Sequence, residues 1–138
     1  MEKKNMKIID IVERITPRAV MTVKVGERTF YAHISDNPAA KALVKKLNSE
    51  IFSPEMTDRG GIAKVAPLPW DIPSAEHEFT TAPGDIVLLD GNLIALFGGS
   101  ETGGMSPLAN IYGMTGEDYH EFFGEGTVRV DFSLEWSE

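Results

Sequence analysis

The segment that most restricts what this chain can fold into is residues 83–99, PGDIVLLDGNLIALFGG. It reads as a strand, a tight turn at Asp90-Gly91 and a second strand. Ile86, Val87, Leu88 and Leu89 on one arm, and Leu93 to Phe97 on the other, are apolar on successive residues rather than on alternate ones. Neighbouring side chains of a strand point to opposite faces, so an unbroken apolar run requires both faces to be covered. Such a hairpin belongs in the middle of a small β-structure closed off by helices or loops.

The flanking segments supply the rest of that structure. Met21, Val23 and Val25 alternate with Thr22 and Lys24, and after Gly26-Glu27 the alternation resumes with Phe30, Ala32 and Ile34. Glycine at the first central position of a two-residue loop is the mark of a type II′ hairpin. The polar face of this hairpin carries Thr22, Lys24, Tyr31 and His33. Asp36-Asn37-Pro38 then opens a helix with a capping side chain and a proline pre-set for the first turn, its apolar stripe being Ala40, Leu43, Val44 and Leu47. Between Glu50 and Pro83, Ile51-Phe52 and residues 62–66 read as strands, while four prolines hold the intervening chain to edges and turns. Residues 98–107 read as a flexible, glycine-dense loop, and 108–112 as a strand. Thr115 and Asp118 form a capping-box pair for a second helix that ends at Gly124. The chain closes with Val128, Val130, Phe132, Leu134 and Trp136 on one face, which predicts a core strand. About eight strands and two helices result, and short half-buried strands are best managed by closing a barrel, which removes exposed edges. The expected organisation is an N-terminal arm over 1–18, with helical spacing at Ile8, Ile11, Val12 and Ile15 and a stop at Pro17, followed by one barrel domain over 19–138.

Composition limits the function classes. Thirteen basic and 21 acidic residues give a net charge of −8, which disfavours nucleic acid as a partner. The absence of cysteine removes disulfides, thiolate nucleophiles and Cys-based zinc sites, and fits a cytoplasmic setting. Asp10 and Glu13 interrupt any signal-peptide core, and no apolar run approaches the roughly 20 residues that span a bilayer, so no membrane partner is expected.

The order of these blocks resembles the bacterial and archaeal cyclophilin-like domain family of largely uncharacterised proteins. The residues that carry the resemblance are Asp36-Asn37-Pro38-Ala39-Ala40-Lys41, Pro83-Gly84-Asp85, residues 93–98 and Ile111-Tyr112-Gly113, spread over about residues 20 to 136. The resemblance implies a mainly β fold, a closed cyclophilin-like barrel of about eight strands with two short capping helices. True cyclophilins are prolyl isomerases that use an arginine from a Phe-His-Arg segment, a glutamine and an aromatic floor. This chain has no Phe-His-Arg and no glutamine, and Arg59, its one arginine between Arg28 and Arg129, precedes Gly60-Gly61 instead.

Four residues are candidates for ligand contact. Arg59 offers directed guanidinium donors for a carbonyl or carboxylate, against a reading as a surface arginine beside a glycine turn. Trp70, in a proline-flanked loop, is either a groove wall or a pin for that loop. Phe97 and Tyr112 are rim or core aromatics. His33, His77 and His120 are scattered, no HExxH pattern exists, and neighbours in Glu76-His77-Glu78 point apart, so no metal site is expected. Gly98-Gly99-Ser100-Glu101-Thr102 lacks both the final glycine of a nucleophile elbow and the lysine of a phosphate loop. The expected function is a cofactor-free module that binds a small molecule or peptide segment and lacks the isomerase motif; the alternative is a prolyl isomerase with a divergent site.

Overall fold

The computed structural model describes residues 18–137, so the arm expected over 1–18 lies, except for its last residue, outside the described residues. Ten strands and two helices follow in order: β1 (Arg18–Val25), β2 (Arg28–Ile34), α1 (Pro38–Leu47), β3 (Glu55–Arg59), β4 (Ala63–Pro67), β5 (His77–Thr80), β6 (Asp85–Leu89), β7 (Leu93–Phe97), β8 (Thr102–Ile111), α2 (Gly116–Phe123), β9 (Val128–Arg129) and β10 (Asp131–Ser137). Hydrogen bonding runs β10-β1-β2-β8-β6-β7-β4-β3-β9, with β5 pairing β8 off this path. The two ends of the path are separated only by Val130, so β9 and β10 form one bent stave. Phe52 and Phe132 exchange backbone bonds of 3.0 and 2.7 Å across the seam, and the Val130 amide donates to the Pro54 carbonyl at 3.1 Å. The sheet is thereby a nearly closed, mainly β barrel.

The central hairpin is buried on both faces. Ile86, Leu88, Ile94 and Leu96 point into the barrel, where they meet Met21, Val23, Leu108 and Phe132. Val87, Leu89, Ala95 and Phe97 point outward into a second cluster with Ala63 and Met105, against which Phe79 of β5 packs. Each large side chain so buried stabilises by about 1.5–3 kcal/mol. The cover over the outer face is the β5–β8 ribbon, paired from His77↔Met105 to Thr80↔Thr102. The hairpin loop spans three residues, Asp90 to Asn92, with φ of +52° at Asp90 and +79° at Gly91.

Two expectations need correction. The glycine-dense stretch 98–107 is not a loop through its length, because β8 begins at Thr102 and runs for ten residues. Glycines at 103 and 104 permit extended backbone as readily as any residue, and Phe79 and Met105 supply the apolar cover that orders the ribbon. Pro107, which cannot donate to a ladder, sits where the β6–β8 register shifts, at a bulge between Ile86 and Val87. The closing strand is core at Val130 and Phe132, both 0% exposed, but Trp136 is 51% exposed. Trp136 pairs with Ala19 at the far end of β1, where the ladder has run past the barrel's packed interior.

Both helices begin as the sequence reads. The Asn37 side chain accepts from the Ala40 amide at 2.8 Å and closes α1, which packs against β8 and β10. Thr115 and Asp118 bond reciprocally at 3.0 and 3.1 Å at the start of α2. Tyr119 of α2 is 2% exposed and lies in the main core. Burial, with a smaller repulsion from Asp58, pushes its phenol up to about 12. The folded chain therefore holds this proton while the unfolded chain loses it near pH 10. Stability is complete below about pH 10 and falls by up to about 1.4 kcal/mol per unit as pH rises toward 12. Unfolding midpoints measured from pH 9 to 12 are expected to show that fall, and Tyr119→Phe is expected to flatten it; an equal slope in the variant excludes Tyr119 as its source.

Candidate functional site

The blocks that carry the family resemblance meet one another in space. Asn37 caps α1 through its oxygen and donates from Nδ2 to the Pro107 carbonyl at 2.8 Å, tying the helix to the β8 bulge. Asp85 accepts from the Ala82 amide at 2.7 Å through one oxygen and from Asn110 Nδ2 at 2.7 Å through the other. Gly84, with φ of +93°, donates to the Phe97 carbonyl and accepts from the Ile111 amide, both at 2.8 Å. A side chain there would meet the Ile111 carbonyl at 3.0 Å. These residues are joints of the barrel, and the hydrogen bonds named here tie strands, turns and α1 to one another.

Arg59, at the end of β3, pairs with Glu101 at 2.6 Å, the two side chains being 40% and 29% exposed. Glu101 is itself fixed by Thr81, whose buried hydroxyl donates to the Gly99 carbonyl at 2.7 Å and accepts from the Glu101 amide at 2.9 Å. The guanidinium thus faces a carboxylate of its own chain, which holds its pKa above the ordinary arginine value. Trp70 is half-buried and packs on Phe52, with ring centroids 5.2 Å apart. A groove of about 360 Å³ lies beside this pair, bounded by Phe52, Pro54, Glu55 and residues 66–69. Phe97 is 0% exposed in the outer cluster and is a core residue rather than a rim aromatic. The doubly apolar pattern already required its outward face to be covered, and Ala63, Met105 and Ile62 supply the cover.

Tyr112 has a different setting. It follows β8 and is bonded to β2 through its amide, which donates to the Tyr31 carbonyl at 3.0 Å. Its ring is 56% exposed and lies 6.2 Å from that of His33. With Val20, Tyr31, Glu135 and Trp136 it bounds a hollow of about 260 Å³. Tyr31 is 44% exposed, so three of the four exposed large hydrophobic side chains among the described residues surround this one space. Tyr31, Tyr112 and Trp136 all line the hollow.

The four sequence candidates are therefore not brought together. Arg59 on β3 and Tyr112 after β8 are separated by β4, β7 and β6 in the strand order. The hollow gains Tyr31 and Trp136, which the sequence reading left on a hairpin's polar face and in the core. The available signal was Tyr31, a large ring on a face otherwise made of Thr22, Lys24 and His33.

A wider opening of about 640 Å³ is bounded by Glu76, His77, Glu78, Gly103 and Gly104 on the β5–β8 ribbon. His77 and Glu78 lie in β5 rather than in a loop. Among the described residues no group of three or more His, Asp or Glu converges as a metal site would require, and no helix is long and apolar enough to cross a membrane.

A search of curated proteins finds no match to the chain. Its sequence does match the cyclophilin-like family over residues 23–134, from the sixth residue of β1 to the fourth residue of β10, a range that takes in all or part of every strand and both helices among the described residues. With that match and the nearly closed two-helix barrel in hand, the chain belongs to the cyclophilin-like family.

Proposed function

We propose that this protein is a binding module of the cyclophilin-like family that takes a small molecule at the hollow between Tyr31, Tyr112 and Trp136. One observation carries the reading. Three large aromatic side chains are held about half exposed around a single space, whereas the same barrel buries Phe97, Phe132 and Tyr119 almost completely. Aromatic surface left in water costs free energy that a flat or apolar ligand recovers. Pockets that are mostly apolar with a few polar groups are the usual form of small-molecule sites. Arg59, the residue nearest in kind to the cyclophilin arginine, is engaged by Glu101, and the chain contains no glutamine, so isomerase chemistry lacks its usual donors here. A cytoplasmic setting, in keeping with the absence of cysteine, is part of the same proposal.

Two experiments test it. A fragment screen read by two-dimensional NMR is expected to perturb the Trp136 indole N–H and leave that of Trp70 in place. Trp136→Ala is expected to weaken the best fragment about tenfold, the loss of one ring's contact. A screen that moves neither Tyr112 nor Trp136 signals overturns the site. The isomerase alternative is read from a proline tetrapeptide, whose spontaneous isomerisation takes tens to hundreds of seconds. No acceleration is expected at micromolar protein; a rate increase would replace the binding reading with the isomerase one.

A further inference from the structure

We infer that the ligand of the Tyr31–Tyr112–Trp136 hollow is a small organic cation bearing a substituted ammonium group, an inference that rests on the binding role proposed above. The lining supports a cation in two independent ways. Three of its members are aromatic, and aromatic rings attract positive charge at their faces. Among the described residues that bound the space, the one charged member is Glu135 and none is basic. Glu135 is exposed and, like most acids among the described residues, forms no ion pair with another described residue. An exposed carboxylate on the wall of an aromatic hollow offers an incoming cation a counter-charge, and a net charge of −8 favours the approach of one.

Size and hydration narrow the class. A space of about 260 Å³, bounded among the described residues by five side chains, holds a compact headgroup. A bare ammonium is strongly hydrated and keeps its water. Alkyl substitution spreads the charge over methyl groups that lie against rings at little desolvation cost, which is how aromatic cages select quaternary ammonium groups. Val20 adds apolar contact that a methylated headgroup uses and a hydrated one does not.

The test compares choline with its neutral isostere 3,3-dimethyl-1-butanol, titrated into the full chain and read at the Trp136 and Trp70 indole signals. Choline is expected to shift Trp136 saturably and to bind about five- to tenfold more tightly than the isostere, the size of a cation–π and carboxylate contribution at a partly exposed site. Glu135→Gln is expected to weaken choline about threefold and to leave the isostere's affinity unchanged. Equal binding of the two compounds overturns the cationic assignment while leaving the hollow as a binding site. Absence of any Trp136 shift with choline also overturns it, and the fragment screen then decides separately whether the hollow binds anything. Binding of a trimethyl-lysine peptide without binding of choline overturns the small-molecule assignment in favour of a peptide partner.

Discussion

Gly98→Ala is expected to destabilise the protein by about 3 kcal/mol or more, enough to leave a large unfolded fraction in a domain of ordinary stability. Gly98 directly follows β7 and is buried, with its amide donating to the Ile62 carbonyl at 2.7 Å. The ring of Tyr119 lies directly on it. A β-carbon built at this position would fall within 2.7 Å of three ring carbons, Cγ, Cδ1 and Cδ2. Neither side can retreat easily. The ring is stacked on Phe123 with centroids 5.6 Å apart, and the first residue of α2, Gly116, sits over the Gly98 carbonyl, where a β-carbon on it would be in contact at 3.4 Å. The clash is with a ring core rather than with the end of a flexible side chain, so relief requires α2 to lift from the barrel. Gly103→Ala is the control, since a methyl there meets only Met105 Cε at 3.8 Å, an ordinary contact. Guanidinium unfolding is expected to place Gly103→Ala within about 1 kcal/mol of the wild type. Adding Tyr119→Ala to Gly98→Ala is expected to cost far less than it does in the wild type, because the two changes share one contact. A Gly98→Ala protein as stable as the Gly103→Ala control contradicts the packing of α2 on β7.

The same glycine shows how far the sequence could be read. The hairpin from Asp85 to Phe97 states its double burial openly, because successive apolar residues in a strand have no other stable arrangement. Both helices announce their starts, Asn37 before Pro38 and Thr115 before Asp118, through local bonds that depend on residues three apart. Such signals survive in a single sequence. The two missed strands do not carry them. Glu-Met-Thr-Asp-Arg in β3 shows one apolar residue in five, and what makes it a strand is pairing with β4 and β9. His77 to Thr80 is held as a strand by residues more than twenty positions away on β8. Phe97 as a ligand contact and Trp136 as a core residue fail for a related reason. Alternation gives the face on which a side chain stands, but whether that face is covered depends on which distant segment crosses it. The β5–β8 ribbon covers Phe97; at Trp136 the barrel ends. Of the candidate hollow the sequence shows Tyr112 and, as a large ring on a polar face, Tyr31; that they and Trp136 share one space depends on the β1–β2 and β1–β10 ladders.

Lys64 supplies the other large effect, and its sign depends on which partner is removed. Lys64 alternates with Ala63 and Val65 along β4, which puts its stem on the interior side with Ala66, and it is 0% exposed. Its Nζ donates to Asp58 Oδ1 at 2.7 Å and to the Gly126 carbonyl, while the Gly126 amide donates to Asp58 Oδ2 at 2.7 Å. The three groups close a ring that pins the turn before β9 to the β3–β4 hairpin, next to the barrel seam. Burial is unequal, because the Asp58 side chain is 43% exposed. Asp58→Ala therefore strands an ammonium in the interior with one carbonyl for company, and the melting midpoint is expected to fall by on the order of 10 °C. Lys64→Met fills the same volume with apolar atoms and leaves Asp58 to water and the Gly126 amide, so its midpoint is expected within about 3 °C of the wild type. Lys64→Met added to Asp58→Ala is expected to recover most of the loss, which separates an unpaired charge from a merely missing contact. Acid reports the same pair. The hydrogen bond from Lys64, and then that from Gly126, hold the Asp58 carboxyl below the ordinary aspartate value. Its contribution is complete above about pH 4 and is lost as pH falls through that lowered value, since only then does the folded chain take up the proton. The gap between wild type and Asp58→Ala is expected to narrow below pH 4 for that reason. If Lys64→Met proves the more damaging of the two single changes, the buried charge is not what makes this corner of the barrel vulnerable.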